Sequence, residues 1–279
     1  ARDASAAARR WGEAGHRLVG EGAARHVPAA MPAFFRQAVG QLTYLNPEPD
    51  RWRQPRDVAP LDPAMDPAYA PDHYVDLELL PPNALLARDR YAYADSLRAA
   101  GVAASNAGFA PFRVLELSAR LREGFRLWRR AADPSERLWI EQRILNDAGV
   151  LGHYVADLAN PHHTSVHHNG WVGDNPHGYT TPQSRPGFHG RFESAFVEAR
   201  VTYDEVDPLV RRDARLQLPL RDSLLAYVGR SHAELTRLYE LEKREAFGRE
   251  TQGAEHERFA VERIAAGADM LRDVWWTAW

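Results

Sequence analysis

The sequence predicts an all-α fold, a single-domain helical bundle with long irregular loops. Two observations predict it. Apolar residues recur at spacings of three and four along most of the chain, and alternating runs of β-branched residues are few. Helix start signals are also explicit, as at Asp133-Pro134, where Asp suits the N-cap, Pro the first helical position and Glu136 the first turn.

Taken in order, the periodicity predicts helices at about 5–28, 30–44, 83–105, 111–132, 134–159, 190–203, 219–247 and 252–277. Residues 46–82, rich in Pro, and 160–188, rich in Gly, Pro, Asn and His, resist a helical reading and are expected to be functional loops. Residues 1–10 form an Ala/Arg-rich tail or the remnant of a processed segment, and 11–279 a single domain without repeats or linkers. The tail Val274-Trp275-Trp276-Thr277-Ala278-Trp279 is expected to be a helix end packed on the body.

Composition excludes several classes. A chain of 279 residues with 44% hydrophobic content can bury a sizeable core, and a formal charge of -3 provides no global basic field. No apolar run approaches the ~18 residues of a membrane span, so no transmembrane segment is expected. The absence of cysteine removes thiolate ligands, disulfides and a cysteine nucleophile, so any metal must be held by nitrogen and oxygen. The start at Ala1, in an Ala/Arg-rich stretch, reads as what remains after a signal peptide or as an artificial boundary, and on the first reading a secreted or periplasmic location is expected.

The chemistry concentrates in His153-Tyr154-Val155-Ala156-Asp157, followed by Asn160-Pro161-His162-His163. His153 and Asp157 stand four residues apart, so on a helix they share a face and can reach one cation. Pro161 ends the helix and turns His163 back toward that face. Seven of the twelve histidines lie within residues 153–189, and imidazole with carboxylate suits zinc best among the common metals. His189 and Glu193 repeat the four-residue spacing. Upstream candidates are Trp11 with His16, Asp50 with Arg53, and His73 with Tyr74 and Asp76.

The ordered set Trp-Gly-x3-His, Asp50, His73, His-x3-Asp-x5-His and His-x3-Glu resembles the superfamily of bacterial zinc-dependent phospholipases C and fungal single-strand-specific nucleases, over residues 11 to about 200. The resemblance implies two to three zinc ions in a cleft of an all-α domain, here a bacterial member. It assigns Asp50, His73, His153 and Asp157 to a first zinc, and His163, His189 and Glu193 to a second. His16, the main chain at Trp11 and a bridging Asp157 fall to a third. It also implies Arg53 as stabiliser of phosphoryl charge, and Tyr74 and Asp76 as contacts to a nucleobase; Asp50, as a ligand of the first zinc, could in addition accept the proton of the attacking water or orient it. In the family the tryptophan is the mature N-terminus, whereas ten residues precede Trp11 here. Either the third site is degenerate, or it uses only the Trp11 carbonyl and His16, or cleavage after Arg9-Arg10 frees the Trp11 amine.

The expected activity is phosphodiester hydrolysis, as nuclease and 3'-nucleotidase on single-stranded nucleic acid, with phospholipase C action on a phospholipid head group as the alternative. Glu193 and the lack of cysteine resemble the phospholipase branch more. Simpler readings stand beside these: Asp50 as a turn residue, Arg53 as a surface arginine, Tyr74 as core, His16 as an ordinary helix histidine. A non-catalytic zinc-stabilised helical protein is a rival of another class. A di-iron carboxylate bundle needs two Glu-x2-His pairs, and Glu13-x2-His16 alone fits that spacing. His162, His167, His168 and His177 are expected to support the ligands or to be solvated.

Overall fold

The computed structural model describes residues 12–53 and 64–279, and these are all-α, without a strand among them. The chain is organised on a central helix, Pro134–Asp157, that begins as the sequence predicts: the Asp133 side chain accepts from the Glu136 amide at 2.9 Å, with proline in the first turn. Its second half, from Ile144 onward, is almost wholly buried. Helices Glu13–Arg25, Val39–Leu45, Ala110–Trp128 and Ala254–Ala278 pack around it, and a helix enclosed on all sides can carry polar groups only if they have a task.

Two glycines of the central helix decide how closely the second layer approaches. A Cβ on Gly149 would stand 2.3 Å from Leu45 Cβ, and one on Gly152 would stand 2.4 Å from Asn46 Nδ2. The end of the Val39–Leu45 helix therefore seats directly on the central helix. The terminal helix closes the other flank: Trp275 is fully buried and donates from Nε1 to the Ala148 carbonyl at 3.2 Å. Val274 and Ala278 are buried beside it, and Trp276 and Trp279 pack on the core, as expected of the tail. A smaller apolar cluster of Tyr93, Leu97, Ala107 and Phe112 lies under the Arg90–Ala99 helix.

Several boundaries differ from the periodicity. The expected 30–44 helix is two pieces, Ala33–Arg36 and Val39–Leu45, interrupted at Ala38. The 83–105 helix starts only at Arg90, because the Asp89 carboxylate caps the Tyr91 and Ala92 amides, while Asn83 is left-handed at φ 63°. The 219–247 helix divides at Glu234 into Leu220–Ala233 and Leu235–Arg244. The 46–82 loop contains short turns, Glu48–Arg51, Met65–Tyr69 and the 3-10 turns Ala70–His73 and Leu77–Leu79. Its residues 54–63, like the tail 1–11 with Trp11, lie outside the described residues.

Candidate metal centre

Eight of the sequence-predicted ligands converge: His16, Asp50, His73, His153, Asp157, His163, His189 and Glu193 are all buried. Five separate segments deliver them. The N-terminal helix brings His16, the Glu48–Arg51 turn Asp50, the Ala70–His73 turn His73, the end of the central helix and the turn after it His153, Asp157 and His163. The fifth is a helix through residues 188–200 whose middle, Arg191–Phe196, is π-helical and carries Glu193. A π turn inside an α-helix is rare and recurs at functional sites. Gly12 starts the N-terminal helix against this π turn, its amide donating to the Glu193 carbonyl at 3.1 Å. A Cβ on Gly12 would stand 2.9 Å from Ser194 Cα.

The donor atoms form compact groups. His153 Nε2 lies 2.9 Å from His73 Nδ1 and 3.3 Å from Asp157 Oδ2, and His73 Nδ1 lies 3.1 Å from the same oxygen. In a second group His189 Nε2 lies 3.1 Å from His163 Nε2 and 2.7 Å from Glu193 Oε2, with His163 Nε2 at 3.3 Å from that oxygen. Neighbouring donors of a tetrahedral nitrogen and oxygen site with bonds of about 2.0–2.1 Å stand roughly 3.3 Å apart. Both triads are close to that spacing, and each could hold a metal ion. A further group, His16, Asp50 and His153, also has its donors gathered. The His16 ring stacks on His153 with centroids 3.9 Å apart.

Asp157 stands between the groups. While Oδ2 faces His73 and His153, Oδ1 is 3.5 Å from His16 Nε2 and 3.7 Å from His163 Nε2, and it makes no hydrogen bond among the described residues. A buried carboxylate oxygen left in that state asks for a cation. Burial pushes the Asp157 carboxyl well above the usual carboxylate range, with His163 opposing. Burial likewise holds His153 well below the usual imidazole value, helped by His16 and His73. For His163 burial pulls the same way, but Asp157 and Glu193 outweigh it and raise the ring to about 9. Glu193 is pushed up by burial, yet His189 and His163 prevail and bring it down to about 2.

Backbone carbonyls fix the tautomers. His153 Nδ1 meets the Asn46 carbonyl at 2.9 Å, and His163 Nδ1 meets the His73 carbonyl at 2.8 Å. A carbonyl only accepts, so each Nδ1 carries a proton and each Nε2 faces the cluster, as a lone pair on neutral His153 and, on His163, once its second proton is displaced. The Asn46 side chain repeats the arrangement, with Oδ1 3.2 Å from His16 Nδ1. Asn160 binds the other end: Nδ2 donates to Glu193 Oε2 at 3.1 Å, and its own oxygen accepts from the His162 amide. Sequence reasoning did not single out Asn46 or Asn160 as orienting residues. A lone Asn before Pro47 carries no signal of its own.

A cavity of about 210 Å³ opens over the cluster, lined in part by Arg53, His73, Tyr74, Asp76, His163 and His189. Arg53 is held by Asp66, with Nε at 2.9 Å and Nη2 at 2.8 Å, and its Nη1 stands 3.7 Å from Asp50 Oδ1. It is buried, so a plain surface arginine is not what the structure places here. The Tyr74 hydroxyl donates to the Ser105 carbonyl, which fixes the half-buried ring at the cavity wall, and the Asp76 amide donates to the Ala107 carbonyl at 2.8 Å.

The remaining histidines separate. His162 is buried between Phe188, Phe192 and His189, and His168 lines the cavity. His167 stacks on Trp171 and the exposed His177 on Tyr179, and neither belongs to a donor group. None of the described helices is long and apolar enough to cross a membrane. Comparison with protein-family models, with curated proteins and with solved structures finds no match for this chain.

Proposed function

We propose that the chain is a zinc-dependent phosphodiester hydrolase of the phospholipase C and single-strand nuclease type, acting on single-stranded nucleic acid and on 3'-nucleotides. One observation carries the reading: the buried donor groups meet at Asp157 beneath a cavity whose wall combines Arg53, Tyr74 and Asp76. The donor set fits zinc, being imidazole and carboxylate without sulfur. His73, His153 and Asp157, with Asp50, would hold one ion; His163, His189 and Glu193 a second; His16 and Asp157 would serve a third, with Trp11 as its further candidate ligand.

The metal, when bound, supplies Lewis acidity and a bound water whose pKa falls to about 7. The protein's own groups do the rest. Asp50, buried beside Arg53, accepts a proton from the attacking water at its carboxylate. Arg53, aligned by Asp66, offers its guanidinium to the phosphoryl oxygens, where negative charge spreads in the transition state. The Tyr74 ring provides a stacking face for a base, and the Asp76 carboxylate accepts from a base edge. Such a site needs no basic groove, which accords with a net charge of -3.

Glu193 favours a second reading, phospholipase C action on a phospholipid head group, because a glutamate at that position resembles the phospholipase branch. The purified protein should be assayed on single-stranded DNA, RNA, a 3'-nucleotide and phosphatidylcholine, with and without chelator. Chelator-sensitive cleavage of the first three is expected. If all four are inert while metal is bound, the cluster is structural and the catalytic reading falls. Asp50→Asn at full metal occupancy should lose most turnover, and an unchanged rate would remove Asp50 from the chemistry. Export to the periplasm or medium belongs to the same proposal, and fractionation of the native source tests it.

A further inference from the structure

A second cavity, of about 740 Å³, lies between the Leu220–Ala233 helix, the terminal helix and the segment around Arg211 to Gln217, and shares no lining residue with the cavity over the cluster. Its wall carries four arginines and three acids. The acids are already engaged. Asp269 is 2.9 Å from Arg211 and 3.1 Å from Arg272, Asp273 is 2.6 Å from Arg211 and 2.9 Å from Arg272, and Glu234 is 3.4 Å from Arg237. Arg215, Arg230 and Arg263 make no side-chain hydrogen bond or ion pair among the described residues. Arg215 and Arg230 are exposed and Arg263 is half-buried, so with the three acids of the wall engaged by other arginines these guanidinium groups leave the cavity a local excess of positive charge.

A second observation points the same way. Ser231 is buried to within 1% and lines the cavity, and its Oγ has no hydrogen-bond partner. The Nε of Arg263 is likewise buried without a partner. Buried donors left unmade cost free energy, and native structures rarely leave them so without a ligand or water to meet them. Three forked cations and a hydroxyl exceed what the two oxygens of a carboxylate can satisfy. A phosphate monoester has three terminal oxygens and a charge near -2, and guanidinium matches it bidentately. The space is larger than phosphate alone needs, and Leu216, Met270 and the Tyr227 ring supply apolar wall for an attached organic group.

We propose that this cavity binds a small organic phosphate, its phosphate held by Arg215, Arg230, Arg263 and Ser231. The site stands independently of the hydrolytic reading, and it carries no chemistry of its own. Calorimetric titration of the full chain with phenylphosphonate, inorganic phosphate and succinate tests it, because phenylphosphonate carries three anionic-site oxygens and cannot be hydrolysed. Saturable binding of phenylphosphonate is expected, weakened roughly tenfold or more by each of Arg215→Gln, Arg230→Gln and Arg263→Gln. Inorganic phosphate should bind at least about tenfold more weakly, since it leaves the apolar wall uncovered.

Without ligand, each variant should melt no lower than the wild type, because it removes like-charge repulsion and breaks no bond; hydrolytic turnover should not change. Binding that survives all three substitutions would belong to the metal centre and overturn the proposal. So would succinate binding as tightly as phenylphosphonate, an absence of saturable binding, or arginine variants that melt lower and bind equally well.

Discussion

The backbone carbonyl of Asn46 meets Nδ1 of His153 at 2.9 Å, while the side-chain oxygen of the same Asn46 stands 3.2 Å from His16 Nδ1. One residue thus orients two stacked imidazoles, and it can do so because Gly149 and Gly152 leave room for its segment on the central helix.

Alanine at these two glycines should therefore have separable effects. In each case the helix gains up to about 1 kcal/mol of intrinsic propensity. At Gly149 the new methyl meets Leu45 Cβ at 2.3 Å, which only backbone movement relieves, so overpacking wins and Gly149→Ala should lose about 1–3 kcal/mol. At Gly152 the first obstacle is the end of the Asn46 side chain. Moving it breaks the His16 contact, so Gly152→Ala should lower metal affinity about 10–100-fold, the range typical of lost outer-shell partners. Denaturant unfolding of the chelated proteins and competitive metal titration read the two effects. Equal metal affinity in Gly152→Ala would show that Asn46 does not orient the cluster.

The His163 and Glu193 shifts set a pH dependence. Without metal, His163 holds its proton to about 9, against about 6.5 in an unfolded chain. Its ion pairs therefore contribute stability in full below about 6.5, and lose it as pH rises through about 9. Glu193 has the opposite sign: its contribution is present above about 4.3 and disappears as pH falls toward about 2. Metal binding through His163 Nε2 must displace the proton, so affinity should rise with pH up to about 9. Calorimetry at pH 7 in two buffers of different ionisation enthalpy should report proton release, reduced by about one in His163→Ala. Release unchanged by that substitution would separate His163 from the metal.

Much of the centre was legible in the sequence, for identifiable reasons. The helical spacing of His153 to Asp157 and of His189 to Glu193 survives folding because both pairs lie within continuous helix, even where the second becomes π-helical. Asp133 announced the central helix through a local side-chain bond. What stayed hidden depends on tertiary approach. Nothing local marks Asn46, whose task exists only once Gly152 brings it against His153, and nothing local marks Asn160 as the partner of Glu193. Boundaries failed where one residue outweighs the periodicity, as Asp89 does by capping a helix that the pattern starts at 83.

Asp157 gives a test of whether the cluster is built for a cation. Its carboxyl is raised by burial, so in the metal-free protein the ionised form costs stability once pH exceeds the unfolded value near 3.9. Asp157→Asn keeps the volume and removes the charge. At pH 7 the chelated variant should be at least as stable as the chelated wild type, whereas the metal-loaded wild type should exceed both. A ligand at a hundred times its dissociation constant adds about 2.7 kcal/mol. Thermal unfolding with and without chelator should show a large shift for the wild type and almost none for the variant. A chelated variant markedly less stable than the chelated wild type would mean that Asp157 serves the fold through its histidine contacts.

Tyr74 separates the nucleic-acid reading from simple phosphodiester hydrolysis. Its ring is held at the cavity wall by the hydroxyl bond to Ser105, beside His73 and Asp76. A base stacked there is worth about 1–3 kcal/mol, corresponding to roughly fivefold to 150-fold in binding. Tyr74→Ala should therefore raise KM for single-stranded DNA by that factor while leaving hydrolysis of bis-p-nitrophenyl phosphate nearly unchanged, since that substrate has no base to stack. Tyr74→Phe loses the Ser105 bond but keeps the ring, so its KM should lie between the two. Equal losses on both substrates in Tyr74→Ala would point to collapse of the cavity wall, and equal retention would remove Tyr74 from substrate recognition.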